Sequence, residues 1–288
     1  METLFDLPMP AHDRTFQIKP FLKWAGGKFR ILEEIKSKFP PYGNRYIEPF
    51  LGGGAVALNV NYQNMIVSDI NEDLINVYIS LRDLGEDFIQ RCLEIFSSDL
   101  NDGKTYYDFR NEFNSSKDLI RKAILFLYLN KHCYNGLCRY NSKGGFNTPI
   151  GGLKKATCPI IEMRSSIPKL KKIKIITRGF EESLQDAKDG DIVYCDPPYL
   201  PINAQAFVQY AESGFGENKQ IELAKLSREA ADRGAFVLVS NHDTEYARDL
   251  YEKQYGAELS RINVRRSIGG ENAKRGKVSE LLAIFKRK

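Results

Sequence analysis

The sequence predicts an α/β protein built on a doubly wound, mostly parallel sheet of seven strands. Short runs rich in β-branched residues alternate with segments whose apolar residues recur at helical spacing. This alternation is typical of helices packed on both faces of a parallel sheet. A polar, glycine-containing segment joins the last two runs, which predicts an antiparallel hairpin at the sheet edge. The predicted strands are Tyr46–Ile47, Met65–Val67, Ile173–Thr177, Ile192–Cys195, Phe236–Ser240, Leu259–Val264 and Leu281–Phe285.

Two long segments predict helices, and a region of different character interrupts the pattern. Apolar residues recur at helical spacing over Asn71–Phe96 and over Lys219–Gly234, where the glycine is a plausible helix stop. The region 72–172 is helical first and then rich in Gly, Asn and Pro, which predicts a hairpin near 133–154. We therefore predict an inserted, mainly helical domain at 72–172. It separates the two parts of the sheet domain, residues 1–71 and 173–288.

Charge is unevenly distributed along the chain. The formal net charge is +5, but between Lys131 and Arg178 there are eleven basic residues and one acid, Glu162. A solvated face explains most short charge runs. A run this uneven is more typical of a surface that binds nucleic acid.

Cysteine usage and hydropathy disfavour several other classes of protein. The five cysteines form no C-x-x-C pair and the chain has three histidines, so we expect reduced thiols and no metal site. The N-terminal residues lack the apolar region of a signal peptide, and the longest apolar run, Ala123–Leu129, is too short to span a bilayer. The expectation is a cytoplasmic protein without a membrane partner.

The stretch YIEPFLGGGAVALN, residues 46–59, predicts a ligand site at the end of the first strand. A strand leads into Glu48 and Phe50, then into a glycine turn at Gly52–Gly54, then into a predicted helix. Glycines let a ligand approach the backbone closely, and this order is typical of nucleotide sites in α/β sheets. A plain tight turn is the alternative. Neither G-K-[ST] nor G-x-G-x-x-G occurs here, which disfavours NTPases and NAD enzymes.

Two further segments could belong to the same site. Asp69 ends the second strand, where an acid commonly accepts hydrogen bonds from ribose hydroxyls; the alternative is a helix cap by Asp69 or Asn71. Taken with the glycine turn, the ribose role is favoured. In FLKWAGGK, residues 21–28, Lys28 could bind a carboxylate or phosphate at a helix start. A structural turn with Trp24 in the core is equally consistent with the spacing.

The fourth strand stops at Asp196-Pro197-Pro198-Tyr199. Asp196 offers an acceptor, Pro197 a carbonyl that no strand ladder requires, and Tyr199 a ring on which a base could stack. An exocyclic amine on a nucleobase is a poor nucleophile because its lone pair is delocalised. Two acceptors on its two hydrogens would free that lone pair, and the ring would hold the extruded base. A proline turn at a strand end is the alternative.

Taken in order, these motifs resemble those of Dam-type DNA adenine methyltransferases. FLKWAGGK, YIEPFLGGGAVALN, SDIN, CYNGLCRYNSKGGFNTPIG, DPPY and SNHDT occur in that order, and the resemblance spans Phe21 to about Phe285. It implies a Rossmann-like methyltransferase sheet with a DNA-recognition insert, and S-adenosylmethionine as cofactor without a metal. The cofactor positions it implies are Trp24, Lys28, Glu48, Phe50, Gly52, Asp69 and Asp196.

The resemblance also implies a mechanism. The target adenine flips out and stacks on Tyr199, and its N6 hydrogens bond to the Asp196 carboxylate and the Pro197 carbonyl, so that the motif Asp196 to Tyr199, Pro198 included, is catalytic. The nitrogen then attacks the sulfonium methyl in line, and proximity and orientation supply much of the rate. Phe207–Phe215 matches a segment that closes over the flipped base.

In this family the inserted domain recognises the base sequence of the DNA. Arg139 is expected at a guanine edge, with a phosphate contact as the alternative. Agreement with the family pattern suggests GATC in double-stranded DNA as the target. Backbone phosphates would be contacted by Lys154, Lys155 and the lysines of 169–174. The DNA-binding positions implied are Lys23, Tyr134, Asn135, Leu137, Arg139 and Pro149.

Other readings of the same motifs remain open at this point. An N4-cytosine methyltransferase more often carries Ser at position 196, and RNA adenine methyltransferases usually lack the insert. A DNA-binding module without catalysis is disfavoured by the intact Asp196, Pro197 and Tyr199. We expect a monomer in a bacterial or phage-infected cytoplasm, with a restriction endonuclease as one conceivable partner.

Overall fold

Seven β-strands of the described residues form a single sheet. The computed structural model describes residues 17–152, 156–199, 215–264 and 278–287. In chain order the strands are β1 (Tyr46–Glu48), β2 (Met65–Asp69), β3 (Ile173–Thr177), β4 (Ile192–Cys195), β5 (Phe236–His242), β6 (Glu258–Val264) and β7 (Val278–Phe285). Their order across the sheet is β3-β2-β1-β4-β5-β7-β6. All seven predicted strands are therefore confirmed.

The sheet is parallel except at one edge. β1 pairs in parallel with β2 and β4, β2 with β3, and β4 with β5. β7 runs antiparallel between β5 and β6, which confirms the predicted edge hairpin. The strand order reverses beside β1, because β2 and β3 lie on one side of it and β4 and β5 on the other. A ligand crevice forms at the carboxyl ends of parallel strands beside such a reversal.

Helices cover both faces of the sheet. The predicted helical segment Asn71–Phe96 is two helices, because Gly85 has a φ of 57° and separates them. None of the helices within the described ranges is long and apolar enough to cross a membrane. The helices are α1 (Leu32–Lys36), α2 (Glu72–Leu84), α3 (Glu86–Ile95), α4 (Gly103–Ser115), α5 (Leu119–His132), α6 (Ile160–Leu170), α7 (Phe180–Gln185), α8 (Glu217–Asp232) and α9 (Glu245–Arg248), with a π-helix at Asp249–Gln254 and 3-10 turns at Lys28–Ile31, Ser98–Leu100 and Tyr134–Gly136.

The hydrophobic core lies in two clusters on opposite faces of the sheet. Neighbouring residues of a strand face opposite sides, so Tyr46 belongs to one cluster and Ile47 to the other. The first cluster also contains the buried α5 residues Ala123–Leu129, so the inserted helices and the sheet share a core. The second lies beneath α7 and α8, where Leu184 and Leu223 are fully buried.

The segment after the glycine turn differs from the prediction. A helix was expected there, but residues 55–59 form consecutive turns. The side chain of Asn59 donates to the carbonyl of Ala55 at 2.9 Å, while its backbone N–H bonds to Val56 instead. The side chain thus takes the acceptor that the backbone of a regular helix would use. The prediction of a helix here was wrong.

A hairpin connects α5 with the segment before α6. Cys133 pairs with Ile150 and Tyr140 with Phe146 in isolated antiparallel bridges. The Asn141 side chain accepts two backbone N–H bonds at the turn, each at 3.0 Å. Phe146 is buried and anchors one strand of the hairpin in the core. The hairpin predicted near 133–154 is therefore present over residues 133–150.

Candidate active site

Three acidic residues lie where the central parallel strands end. Glu48 is the last residue of β1, Asp69 the last residue of β2, and Asp196 directly follows β4. Glu48 and Asp196 are close enough that the charge of Asp196 raises the pKa of Glu48. The sequence placed these acids in three separate motifs. The topology brings them together at one edge of the sheet, the edge formed by the carboxyl ends of the parallel strands.

The Asp196 carboxylate is held through one of its two oxygens. The ammonium of Lys28 lies 2.9 Å from Oδ1, and the Ser240 hydroxyl donates to the same Oδ1 at 2.8 Å. Among the described residues no donor is placed on Oδ2, and the side chain is 21% exposed. One oxygen is thus fixed by the protein while the other remains available to a ligand.

Lys28 connects the two ends of the motif Asp196–Tyr199. It is almost fully buried, donates to the Gly26 carbonyl, and lies 4.6 Å from the centroid of the Tyr199 ring as well as beside Asp196. The expected carboxylate contact of this lysine is therefore to the protein's own acid. A cofactor contact by Lys28 stays a prediction.

Tyr199 is fixed by contacts at its hydroxyl and its ring edge. Its hydroxyl donates to Glu280 Oε2 at 3.2 Å, and its ring meets His242 edge-on with centroids 4.7 Å apart. Burial, and then the charges of Asp196 and Glu280, raise the pKa of Tyr199 well above its usual value. The phenol is therefore neutral at physiological pH and presents a polarisable face rather than a charge.

The glycine turn provides a tight cradle between two motifs. Gly52 has a φ of 47°, and a Cβ built there would lie 2.8 Å from the indole of Trp24. The Gly52 N–H donates to Asp69 Oδ2 at 3.1 Å, and Asp69 Oδ1 accepts from the Asn71 N–H at 3.0 Å. Asn71 caps α2 by accepting from the Leu74 N–H. The cap alternative thus belongs to Asn71, while Asp69 holds the glycine turn.

Glu48 is a buried carboxyl group without a cationic partner among the described residues. Burial raises its pKa to about 8, although the hydrogen bond that it accepts from Tyr46 acts in the opposite direction. That bond has an O–O distance of 2.5 Å. A carboxyl group with this pKa is protonated at neutral pH, and a cationic ligand would favour its ionised form.

Phe50 belongs to an aromatic cluster beside this edge. Its ring stacks on that of Phe180, with ring centroids 5.4 Å apart, and meets that of Phe215 edge-on, with centroids 5.6 Å apart. Phe180 begins α7 just after β3, and sequence reasoning missed it. Its place after a parallel strand is the signal that would have found it. For Ser240 the corresponding signal is its place near the carboxyl end of β5. Phe215 lies at the end of the expected closing segment, whose residues 207–214 are outside the described part of the chain.

The structure brings the first motif, residues 21–28, against the base of the hairpin at residues 133–150. The Lys23 N–H donates to Asn130 Oδ1 at 2.9 Å, and Asn130 Nδ2 donates back to the Lys23 carbonyl at 2.7 Å. A Cβ built on Gly136 would lie 2.5 Å from Lys23 Cβ, so a glycine is needed for this approach. Lys23, Lys131 and Asn135 border a cleft of about 200 Å³. The two predicted sources of DNA contacts are thus adjacent.

The predicted reading residues lie on the exposed surface of the hairpin. Arg139 is exposed, and its Nε donates to Asn147 Oδ1 at 2.9 Å. Tyr134 is 53% exposed and Leu137 41%, and Pro149, whose carbonyl accepts from the Tyr134 N–H, is exposed too. Asn135 is exposed with a φ of 52°. Large apolar side chains left uncovered in this way are typical of a binding surface.

One of the predicted phosphate contacts is wrong. Lys169 donates its ammonium protons to the Val60 carbonyl, and burial lowers its pKa to about 8, so the side chain serves the protein interior. Lys171, Lys172 and Lys174 are exposed. Lys154 and Lys155 lie outside the described residues. Within the described ranges no group of three or more potential metal ligands comes together.

Comparison with known proteins agrees with this arrangement. The sequence profile of the D12 class N6 adenine-specific DNA methyltransferases matches residues 24–268. The chain is 42% identical to a DNA adenine methylase of Escherichia coli K12 over 93% of this chain and 95% of that one. It is 42% identical to the DNA adenine methylase of Haemophilus influenzae over 93% of each chain. It is 41% identical to that of Serratia marcescens over 93% of this chain and 98% of the relative.

Solved structures give more distant similarities. A putative methyltransferase, SMU.472, complexed with SAH aligns over 93% of this chain and 55% of that one, with 8% identity and a TM-score of 0.39. Similarity at that level does not bear on function. The profile match and the relatives do, because both extend over most of the chain and include the motifs gathered at the sheet edge. The chain belongs to the D12 class N6 adenine-specific DNA methyltransferase family.

Proposed function

We propose that the chain transfers a methyl group from S-adenosylmethionine to N6 of an adenine flipped out of duplex DNA at GATC. Its family membership shows the reaction class, site-specific methylation of adenine N6 in DNA. The cofactor, the flipped base and the target sequence are our proposals. The observation that carries them is the free Oδ2 of Asp196 beside the half-buried ring of Tyr199, just after the end of β4.

The residues at the sheet edge fit a cationic nucleoside cofactor. Asp69 fits ribose hydroxyls, and the aromatic rings of Phe50 and Phe180 fit the apolar faces of an adenine. Glu48 is a buried carboxyl group whose ionised form would be stabilised by a ligand's positive charge. Trp24 and Gly52 form the tight turn between them. Bound there, S-adenosylmethionine would supply an electrophilic methyl group already activated by its sulfonium charge.

The catalytic motif fits an exocyclic amine. Asp196 Oδ2 and the Pro197 carbonyl would accept the two N6 hydrogens, which draws the nitrogen toward tetrahedral geometry and localises its lone pair. Tyr199 would stack on the base and hold it after extrusion, which costs a few kcal/mol. Because Lys28 and Ser240 already fix Oδ1, the carboxylate needs little reorientation when the base arrives.

The hairpin would read the sequence of double-stranded DNA. Arg139 fits a bidentate contact to guanine, which is worth roughly 1–3 kcal/mol of discrimination. Exposed apolar groups of the hairpin would contact the outer base pairs and the space left by the flipped base, and Lys23 would approach from the first motif. The chain would act as a cytoplasmic monomer, alone or beside a restriction endonuclease. The residues proposed to contact DNA are Lys23, Tyr134, Asn135, Leu137, Arg139 and Pro149.

Transfer of a labelled methyl group tests this proposal. Purified protein is incubated with tritiated S-adenosylmethionine and either a GATC duplex, a matched duplex carrying AATT, or an RNA of the same sequence. The products are then digested to nucleosides. The proposal expects label in N6-methyladenine from the GATC duplex and far less from the other two substrates.

Each rival function gives a different result in that experiment. Label in N4-methylcytosine indicates a cytosine enzyme, and label in RNA alone indicates an RNA enzyme. Equal labelling of the GATC and AATT duplexes leaves the reaction intact but refutes the proposed target sequence. Tight binding of DNA with no label in any nucleoside supports a binding module and contradicts the proposed enzyme.

A further inference from the structure

A buried cluster of three polar side chains lies beneath the catalytic motif. We name Gln220, Asn241 and Tyr251 the amide cluster; all three are at most 3% exposed. Gln220 comes from the first turns of α8, Asn241 from β5, and Tyr251 from the π-helix. π-helical turns are rare, and those that occur are often near functional sites. Three elements thus meet at one glutamine side chain.

The hydrogen bonds of the cluster fix the orientation of the Gln220 amide. Its Oε1 accepts from Asn241 Nδ2 at 3.0 Å and from the Tyr251 hydroxyl at 3.1 Å. Because two donors face Oε1, the amide nitrogen must point the other way. There Nε2 donates to the carbonyl of Pro198 at 2.8 Å. The Asn241 side chain is fixed in turn, since its Oδ1 accepts from the His242 N–H at 2.8 Å.

The hydrogen bond to the Pro198 carbonyl lies where few other hydrogen bonds hold the backbone. The pairing of β4 with β5 ends at Cys195 and Val239, and neither Pro197 nor Pro198 has an N–H to donate. The Pro198 carbonyl and the Tyr199 N and Cα share one planar peptide unit. A donor that fixes this carbonyl therefore also fixes the point from which the Tyr199 side chain starts.

We propose that Gln220 is a positioning residue for the methyl transfer, holding the Pro198–Tyr199 peptide so that the ring of Tyr199 and the adjoining Pro197 carbonyl face the target base. This inference rests on the proposed function of the catalytic motif. It assigns Gln220 no contact with the substrate. Asn241 and Tyr251 serve to orient Gln220. Through Asn241, the segment Ser240–His242 of β5 also has a role in the site.

Substitution of Gln220 by Glu provides a readout that a packing role would not give. In the variant Gln220→Glu, a protonated carboxyl group can still donate to the Pro198 carbonyl. The ionised form would place a carboxylate against that carbonyl, where two acceptors repel. Burial raises the pKa of such a carboxyl group. The kcat of Gln220→Glu, divided by that of the wild type, should therefore fall as pH rises.

The experiment measures kcat and KM for S-adenosylmethionine and a GATC duplex across pH, well below the melting temperature of each variant. Gln220→Leu removes the donor at every pH, and we expect its kcat to fall roughly tenfold to a hundredfold, because small misplacements of reacting groups have effects of that order. KM values should stay near wild type. Leu223→Ala is the matched control: it opens a cavity in the same helix and core cluster but leaves the bond from Gln220 to Pro198 in place, so its kcat should stay close to wild type.

Three results would overturn the inference. One is a kcat near wild type in folded Gln220→Leu, and another is a pH profile of Gln220→Glu parallel to that of the wild type. The third is an equal loss of kcat in Gln220→Leu and Leu223→Ala, which would indicate core packing. If Gln220→Leu does not fold, the pH profile of Gln220→Glu decides alone. Absence of methyl transfer by the wild type would refute the proposed function instead.

Discussion

The candidate active-site edge of the sheet and the hairpin at residues 133–150 differ in how far their side chains are buried. At the edge, Lys28 is almost fully buried and bonded to Asp196, and the motif carbonyl of Pro198 is bonded to a buried glutamine. On the hairpin, Tyr134 and Leu137 are 53% and 41% exposed. Chemistry gains from groups that are fixed before the substrate arrives. Recognition of DNA needs groups that are still uncovered.

The two regions are nevertheless joined at the base of the hairpin. Asn130 bonds twice to the backbone of Lys23 in the first motif. The Tyr140 hydroxyl donates to Asp73 Oδ2 at 2.9 Å, and Asp73 lies in α2, just after the acid that holds the glycine turn. The hairpin is thus fixed where it meets the catalytic domain and exposed where it would read DNA.

The largest effect is expected from Asp196→Ala. It removes an acceptor of the target amine and leaves Lys28 buried without its carboxylate, so we expect methyl transfer to be abolished. DNA affinity should survive, because the hairpin is unchanged. Labelled methyl transfer and a gel-shift titration measure the two quantities. Asp189→Ala, at an exposed turn before β4, is the control and should keep full activity; persistent turnover by Asp196→Ala would remove this residue from the mechanism.

Arg139→Ala tests the other region. Loss of a guanine contact should lower the preference for GATC over a duplex with one changed outer pair by roughly 1–3 kcal/mol, about fivefold to 150-fold. The kcat at saturating DNA should change much less. Competition assays with the two duplexes give the ratio. Lys143→Ala, at the exposed hairpin turn, should weaken both duplexes equally; the same uniform loss in Arg139→Ala would reduce it to a phosphate contact.

The free energy of unfolding should depend on pH through buried Glu48 and not through an exposed carboxylate. The pKa of Glu48 is about 8 in the folded protein, against an ordinary value of 4.5. Between those values the folded state binds a proton that the unfolded state has released, so the contribution of Glu48 to stability falls as pH rises from 4.5 to 8 and is constant above. Glu48→Gln should remove that slope from the free energy of unfolding.

Urea unfolding of the cofactor-free protein measures this slope. Between about pH 5 and about pH 9 it covers most of the interval between the ordinary and the raised pKa of Glu48. The control is Glu34→Gln, which alters an exposed carboxylate of α1 and should leave the slope as in the wild type. In the wild type, binding of a cationic cofactor should release a proton near neutral pH, because it favours ionised Glu48. Parallel slopes in wild type and Glu48→Gln would show that Glu48 is ionised throughout.

The smallest effect is expected from Tyr140→Phe. It deletes one hydrogen bond at the hairpin base but leaves Asp73 paired with Lys122 at 2.7 Å, so the free energy of unfolding should fall by about 1 kcal/mol. Affinity for the GATC duplex should decrease severalfold, while kcat at saturating DNA stays near wild type. Tyr42→Phe, at an exposed tyrosine, is the control. A loss of kcat with unchanged affinity would mean that this bond supports chemistry instead.

The sequence predicted those parts of the molecule that follow from local pattern. Strands could be located because β-branched runs ending in turn residues are a local signal, and the carboxyl-end rule placed Asp69 and Asp196 at one edge. Ser240 lies near the carboxyl end of β5 in the same way, but no distinctive turn sequence marks that end of the strand. Gln220 could not be found, because it sits in an ordinary amphipathic helix and its role comes from packing against Asn241 and Pro198.

The errors have the same origin. The helix expected after the glycine turn fails because the Asn59 side chain competes for the Ala55 carbonyl. Lys169 looked like part of a basic surface, but the fold turns its ammonium to the Val60 carbonyl. Gly85 interrupts a pattern that is helical on both sides. In the first two cases a single side-chain contact overrides a correct average pattern, and in the third the backbone conformation of one glycine does so.

A structure of the protein with a GATC duplex and a non-reactive analogue of S-adenosylmethionine tests the central claim most directly. We predict an adenine outside the helix, parallel to the Tyr199 ring, with N6 at roughly 3 Å from both Asp196 Oδ2 and the Pro197 carbonyl. We also expect Lys28 and Ser240 to remain on Oδ1. An adenine still stacked in the duplex, or one whose N6 is distant from Asp196, would contradict this mechanism.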